Sequence, residues 1–171
     1  MGEIRDKETA EIAINASLTG HMVFSTLHTN DAAGAFPRLT DMGVEPFLIA
    51  SAVAGVMGQR LTRRLCPKCR RPAPLDMKYY DLSYPPESDQ VFEPGGCEFC
   101  SKTGYKGRRA IFEVLEVDEE IESAIIKRQN ATQIRVLALS KGMKTLREDG
   151  WRKVFAGVTS VKEIMRVTED Q

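Results

Sequence analysis

Four cysteines carry the clearest chemical signal in the sequence. They form two pairs of equal spacing, Cys66-x-x-Cys69 and Cys97-x-x-Cys100, with a long loop between the pairs. Two residues between thiols let both sulfurs face one tetrahedral ion, and four thiolates form the closed, redox-silent site typical of structural zinc. The spacing therefore predicts one Zn²⁺ with a structural role.

Unliganded or redox-active thiols are the alternative interpretation of these pairs. Neither pair has the strand and helix setting that usually lowers the pKa of a redox thiol, and no signal-peptide pattern favours disulfides. Four thiolates around a divalent ion also leave a negative charge, which nearby basic residues would offset. These residues are Lys68, Arg70, Arg71, Lys102, Lys106 and Arg108.

The composition limits the possible partners. The 171 residues include 24 basic and 24 acidic side chains, so net charge gives no preference for nucleic acid or anionic lipid. No apolar run approaches the roughly 18 residues needed to cross a bilayer. We therefore expect a cytoplasmic protein without membrane insertion.

The first sixty residues predict the alternating helices and strands of an α/β domain. Helical spacing over Lys7–Leu18, with Asp6 as the cap, predicts the first helix. The run Met22–Leu27 predicts a buried strand. We expect Asp31 to cap a helix that extends to about Met42, and the apolar stretch Phe47–Leu61 to form a buried helix.

Three segments follow from a change of composition at Arg63. Residues 1–62 form the α/β part, residues 63–107 a loop-rich insert that contains the cysteines, and residues 108–171 a final strand with a helical subdomain. The strand is predicted over Ala110–Val117. Helix starts are predicted at Asp118, at Asn130 with Gln133, and at Ser160 with Glu163 as a capping box.

Three stretches of the sequence, at residues 1–10, 18–32 and 59–66, closely resemble the ATPases that power type II secretion and type IV pilus assembly. The paired cysteines and the turn at residues 104–108 belong to the same resemblance, which covers essentially the whole chain. It implies the C-terminal half of a RecA-like ATPase domain, with a tetracysteine zinc-binding insert and a C-terminal helical subdomain.

The resemblance also implies the functional residues. Glu3 matches the acidic residue after the Walker B strand, which helps hold Mg²⁺ and water beside the terminal phosphate of ATP. His21 and His28 match a histidine box, and we expect His28 to be on the phosphate side because ligands bind beyond the carboxyl ends of strands. Gln59 and Arg60 are expected to face the nucleotide or a subunit interface.

One element of such an ATPase is missing from the sequence. No Gly-x-x-x-x-Gly-Lys-Ser/Thr phosphate loop occurs, so we expect the chain alone to be inactive. The chain starts where a Walker B strand would just have ended, which predicts a fragment whose unpaired edge at Met22–Leu27 favours self-association. The implied partners of the intact protein are neighbouring subunits of a hexamer and cytoplasmic parts of an inner-membrane platform, which it would reach by peripheral contact.

A zinc-dependent binding module for nucleic acid or protein is the competing hypothesis. Zinc ribbons with basic flanks often bind nucleic acid. The zero net charge argues against it, as do the few aromatic residues near the basic ones, where Phe99 and Tyr105 are the stacking candidates.

Overall fold

The computed structural model describes residues 2–76 and 90–169, where three α-helices are followed by four β-strands and then by four more α-helices. This confirms the predicted α/β class. The helices are α1 (Lys7–Leu18), α2 (Ala35–Asp41), α3 (Pro46–Ala52), α4 (Glu119–Ile126), α5 (Ala131–Ser140), α6 (Leu146–Phe155) and α7 (Val161–Val167). The strands are β1 (Gly55–Leu65), β2 (Arg71–Pro74), β3 (Gln90–Glu93) and β4 (Tyr105–Glu116), and Glu98–Cys100 form a short 3-10 helix.

Helix α1 has the bounds that its sequence predicts. Asp6 precedes it in an extended conformation, and Asp6 Oδ1 accepts a hydrogen bond from the backbone N–H of Thr9 at 2.8 Å. Gly20 follows the helix with φ +94°, which a residue with a side chain rarely adopts. Local signals therefore determine both ends of this helix.

The predicted buried strand at Met22–Leu27 is wrong. The side chains of Met22 and Phe24 are about four-fifths exposed, at 80% and 78%. Thr26 makes a single parallel bridge, to Glu3, and the N–H of Ile4 donates to Thr26 O at 2.9 Å. A strand is buried only where neighbouring strands and packed layers cover it, and a short apolar run does not specify those neighbours.

Asp31 does not cap a helix directly. Helix α2 begins at Ala35, with Gly34 in the capping position, and Asp31 Oδ1 accepts a hydrogen bond from the N–H of Gly34 at 2.8 Å. Asp31 thus closes a turn before the helix, which is the other local use of this side chain. The helix ends at Asp41, one residue before the predicted end.

The predicted helix over Phe47–Leu61 is also wrong, because the stretch divides into α3 and the start of β1. Helix α3 ends at Ala52. A Cβ on Gly55 would lie 3.1 Å from the carbonyl oxygen of Leu115, so glycine permits the close approach of β1 to β4. Glycine also disfavours a helix, so Gly55 and Gly58 are a signal against the helix that the apolar run predicts.

The later elements follow their predictions more closely. Strand β4 contains the predicted strand Ala110–Val117 apart from its last residue, and extends further toward the N-terminus. Asp118 caps α4, and Asn130 and Gln133 form a reciprocal capping box at α5. Thr145 and Glu148 form another at α6 that the sequence analysis missed.

The cysteine-containing segment has more regular structure than expected. Strands β2 and β3 pair antiparallel, with Pro72 opposite Phe92 and Ala73 opposite Val91. Proline lacks the N–H that a sheet interior needs, so a proline-rich strand is not evident from the sequence. Residues 77–89 of the predicted insert lie outside the described residues.

Two compact units result from this packing. The first contains Met1–Gly58 and Glu113–Met143, and the second contains Gln59–Phe112 and Lys144–Gln171. Each unit therefore combines residues from before and after the cysteine-containing segment. The division into residues 1–62, 63–107 and 108–171 stays a prediction.

Each unit has its own hydrophobic core. In the first, α1 to α5 and the strand ends contribute residues such as Ala10, Phe36, Ile49, Leu115 and Ile134. In the second, the core consists of Val91, Ile111, Leu146, Trp151, Val154 and Ile164.

A buried carboxylate crosslinks the second unit. Glu163 on α7 has no exposed side-chain surface, and its oxygens accept hydrogen bonds from Arg63 N at 3.0 Å, Arg63 Nη2 at 2.7 Å and Arg166 Nη2 at 2.7 Å. Burial raises the pKa of Glu163, but the hydrogen bonds from Arg166 and Arg63 outweigh it and lower the pKa to about 2. Glu163 therefore does not complete the predicted capping box, although Ser160 Oγ still accepts from Glu163 N at 3.3 Å.

We expect Glu163→Gln to lower the free energy of unfolding by about 2 kcal/mol at pH 7, because charged hydrogen bonds to two arginines are lost. The folded-state pKa is depressed, so this contribution is complete above the ordinary glutamate pKa of about 4.5 and disappears as pH falls toward 2. Urea unfolding at pH 7 and at pH 3 measures both effects.

The control is Glu169→Gln, which makes the same change at an exposed carboxylate near the end of the chain. Equal unfolding midpoints for the two variants at pH 7 would contradict the role of Glu163.

Candidate functional site

Local structure brings the four predicted zinc ligands together. Cys66 follows β1, and its N–H donates to Gly104 O at 2.9 Å. Cys69 lies in the turn before β2, Cys97 caps the short 3-10 helix, and Cys100 is the last residue of that helix. Cys66 and Cys100 are buried, whereas Cys69 and Cys97 are half-buried.

The distances between the sulfurs suit one tetrahedral ion. All four Sγ atoms lie within 4.8 Å of one another. The Cys69–Cys100 and Cys97–Cys100 pairs are 3.7 Å apart, and the Cys66–Cys97 pair is 3.9 Å apart. Zinc at about 2.3 Å from each sulfur requires edges of about 3.8 Å. The donor set and its dimensions therefore fit Zn²⁺.

Backbone N–H groups surround the sulfurs. Cys97 N and Gly104 N donate to Cys100 Sγ at 3.3 and 3.2 Å. The bond from Cys97 N, assisted by that from Gly104 N, outweighs burial and lowers the pKa of Cys100 to about 6. At Cys69 the N–H of Gly96 lowers the pKa, but burial and the neighbouring thiols raise it to about 11. One thiolate is thus favoured, and four together need a cation.

Two glycines make this compact arrangement possible. A Cβ on Gly95 would lie 2.1 Å from the carbonyl oxygen of Cys69, and one on Gly104 would lie 2.4 Å from Pro94 Cβ. Gly104 also has φ +77°. Larger residues would push the two cysteine pairs apart.

The basic residues near the cysteines have contacts within the unit. Lys68 and Lys106 place their Nζ atoms over the ring of Phe99, at 4.3 and 5.3 Å from its centroid. Lys102 Nζ lies 3.5 Å from the carboxylate of Glu98. The aromatic residue nearest the cysteines is therefore already in contact with cations of the same chain.

Glu3 and His28 lie side by side in the first unit. Glu3 Oε1 is in contact with His28 Nε2, while Arg5 Nη2 lies 2.5 Å from Glu3 Oε2 and forms an ion pair with it. The hydrogen bond from Arg5 and the charges of Arg5 and His28 outweigh burial and lower the pKa of Glu3. Glu3 is therefore an anion at neutral pH with an imidazole next to it.

His21 has a different environment. Its Nδ1 lies 3.2 Å from Thr19 Oγ1 and 3.3 Å from Ala16 O, at the C-terminal end of α1. An imidazole next to the last carbonyl groups of a helix can stabilise the end of that helix, which is a structural role. The expected place of His28 on the phosphate side stays a prediction.

Gln59 and Arg60 are exposed residues of β1 in the second unit. Glu3 and His28 belong to the first unit. The expected role of Gln59 and Arg60 at a nucleotide or a subunit interface stays a prediction.

Sequence reasoning missed a buried carboxylate in the first unit. Glu113 on β4 is 1% exposed, and its Oε1 accepts a hydrogen bond from the N–H of Ala32 at 3.0 Å. Strand alternation was the available signal, because Glu113 has the same parity as the buried residues Ile111 and Leu115. A glutamate on the buried face of a strand requires a specific partner.

Comparisons with known proteins agree with the resemblance. The family described as "Type II/IV secretion system protein" matches residues 1–166. The chain belongs to this family.

Its curated relatives include the type IV pilus assembly ATPase PilB of Thermus thermophilus, 51% identical over 98% of this chain and 19% of the relative. Type II secretion system protein E of Dickeya dadantii is 46% identical over the whole chain and 34% of the relative. The chain thus spans about a fifth of the first relative and about a third of the second.

Solved structures show the same fold. The pilus retraction motor PilT with bound ADP matches with a TM-score of 0.65 and 21% identity, over 99% of this chain and 38% of that one. The ATPase DotB of Legionella pneumophila matches with the same TM-score and coverage.

The helices of the described residues include none with the length and apolar character of a membrane span.

We expect the Cys97→Ser variant, purified with zinc present, to melt at least about 5 °C below the unmodified chain, because metal binding free energy contributes to folding. Elemental analysis should find one zinc per unmodified chain. Thermal unfolding followed by circular dichroism measures the change.

A chelator provides the control. It should lower the melting temperature of the unmodified chain and leave Cys97→Ser unchanged, because that variant has already lost the site. Unmodified chain that contains no metal, or that melts at the same temperature as Cys97→Ser, would contradict the zinc site.

Proposed function

We propose that this chain is the C-terminal part of a hexameric ATPase that powers type II protein secretion or type IV pilus assembly. Family membership supports the class of protein. The contact between Glu3 and His28 is the observation that carries the proposal for this chain, because it places an ionised carboxylate beside an imidazole.

Glu3 fits a role beside Mg²⁺. Carboxylate oxygens are the hard ligands that Mg²⁺ prefers, often through water, and the lowered pKa keeps Glu3 ionised. When bound with ATP, Mg²⁺ neutralises the charge that develops on the phosphates. Arg5 and His28 are 73% and 83% exposed, so both can move away from Glu3 without breaking a packed core.

His28 fits a role as a hydrogen-bond donor to phosphate. Its ring nitrogens can donate hydrogen bonds, and Nε2 already lies against the carboxylate of Glu3. The same contact lets Glu3 orient the ring. Together the two side chains would orient water and sense the terminal phosphate.

The cysteine site has a structural part in this proposal. Cys66, Cys69, Cys97 and Cys100 would hold Zn²⁺ with no open position for substrate, so the metal would fix the loops rather than act on ATP. The proposed partners are neighbouring ATPase subunits and the cytoplasmic parts of an inner-membrane platform. Peripheral attachment at the cytoplasmic face of that membrane would follow from those contacts.

In the full-length ATPase that contains these residues, Glu3→Gln should lower kcat for ATP hydrolysis about 100-fold while nucleotide affinity changes little. The carboxylate serves metal and water, whereas phosphate binding depends on a glycine-rich loop. Phosphate release and nucleotide titration measure the two quantities. Glu11→Gln, an exposed glutamate of α1, is the matched control, and equal rates in both variants would refute the role of Glu3.

His28→Ala should lower the same kcat at least about tenfold more than His21→Ala, because only His28 contacts Glu3. The comparison uses steady-state hydrolysis at saturating Mg-ATP. Equal losses of kcat in the two variants would contradict the proposed place of His28 beside the phosphate.

The 171-residue chain alone should not bind Mg-ATP with micromolar affinity, because its sequence has no phosphate loop. Isothermal titration calorimetry tests this. A micromolar dissociation constant would contradict the prediction, because it would show that this chain recognises phosphate without a phosphate loop.

A further inference from the structure

The loop that follows His28 is held by a side chain from a distant strand. Ala32 in this loop is fully buried, and its N–H donates to Glu113 Oε1 on β4 at 3.0 Å. The two residues are 81 positions apart in the sequence. A loop amide and a buried carboxylate thus form a specific long-range contact within the first unit.

A second long-range contact holds the preceding residue. Asp31 Oδ2 pairs with Arg135 Nη1 of α5 at 3.1 Å, and both side chains are less than one quarter exposed. The other oxygen of Asp31 accepts from Gly34 N, and Asp31 O accepts from Thr29 Oγ1 at 2.9 Å. Residues 29–34 are therefore fixed both internally and from outside.

The contact with Ala32 explains why a carboxylate is buried here at all. Burying a carboxylate is unfavourable unless hydrogen bonds compensate, and within the described residues Glu113 Oε2 has no hydrogen-bond partner. An apolar side chain would fill this position at less cost. Without Glu113, however, the buried N–H of Ala32 would lose its acceptor.

We propose that Glu113 and Arg135 are positioning residues that hold the loop at residues 29–34 and thereby place His28 beside Glu3. The proposal rests on the proposed function of His28. The His28 side chain is 83% exposed, so the packing around its ring does little to fix it. Its position depends instead on the backbone that continues directly into the clamped loop.

Two pairs of variants separate the contact from general stability. Glu113→Gln keeps an acceptor for Ala32 N, whereas Glu113→Leu removes it. Arg135→Lys keeps a cation for Asp31, whereas Arg135→Met removes it. Arg128→Met is the control, because Arg128 forms an exposed ion pair with Glu45 in the same unit.

The two histidines of the sequence give a direct readout by NMR. In Glu113→Leu and Arg135→Met, we expect the imidazole signals of His28 to shift and those of His21 to stay unchanged, because His21 is bound at the end of α1. Backbone amides of residues 32 and 34 should exchange at least about tenfold faster. Glu113→Gln, Arg135→Lys and Arg128→Met should resemble the unmodified chain.

Unchanged His28 signals and loop exchange in both Glu113→Leu and Arg135→Met would overturn the proposal. If Glu113→Leu fails to fold, Arg135→Met decides, since the loss of Arg135 leaves no buried amide unpaired. A uniform change in both histidines would also overturn it, because that indicates general destabilisation.

Hydrolysis by the full-length ATPase gives a second arm. Glu113→Leu should lower kcat at least about tenfold with KM for ATP within about twofold, and Glu113→Gln should restore most of the rate. If the unmodified full-length protein hydrolyses no ATP, the proposed function is wrong. The NMR experiment would still test whether Glu113 and Arg135 hold the loop at residues 29–34. Normal kcat in Glu113→Leu overturns the positioning role.

Discussion

The pairing of β1 with β4 is the constraint on which both compact units depend, because each strand contributes residues to both. In the first unit, Gly55 allows β1 to approach the backbone of Leu115 on β4 closely. In the second, Thr62 Oγ1 donates to Arg109 O across the same pair at 2.8 Å. From β4, Leu115 joins the hydrophobic core of the first unit and Ile111 that of the second.

Each unit uses one buried carboxylate to join segments that are distant in sequence. Glu163 receives both backbone and guanidinium hydrogen bonds, so both its oxygens are satisfied. Glu113 receives one backbone N–H, and its second oxygen has no hydrogen-bond partner within the described residues. The first arrangement suits a rigid crosslink. The second is costlier, and such a cost is expected where a loop must be held for function rather than for stability.

Elements that form through interactions between residues close in sequence were predicted correctly, whereas elements that depend on distant residues were not. The caps at Asp6 and Asn130 depend on neighbours three residues away, and the sequence analysis identified both. The strand at Met22–Leu27 and the helix at Phe47–Leu61 depended on apolar runs, which do not specify the partner that covers them. Here Gly55 is the better guide, because it marks a close approach of two backbones.

The candidate sites divide in the same way. Cysteine spacing alone identified all four members of the cluster, since two residues between thiols already define the geometry. Strand alternation could have placed Glu113 on the buried face of β4. No local pattern, however, relates Asp31 to Arg135, which lies 104 residues later. Contacts of that range become visible only once β4 and α5 are folded against the loop.

The cysteine site shows how a segment with few buried apolar side chains can still hold a defined conformation. Its described residues pack glycines against carbonyl groups and direct N–H groups at sulfur, and the four thiols lie within 4.8 Å of one another. Such proximity opposes deprotonation of all four thiols, as the raised pKa of Cys69 shows. A divalent cation reverses this balance, because it attracts every thiolate at once. The metal would therefore do for this segment what a hydrophobic core does for the helices, and folding and metal binding would be one equilibrium.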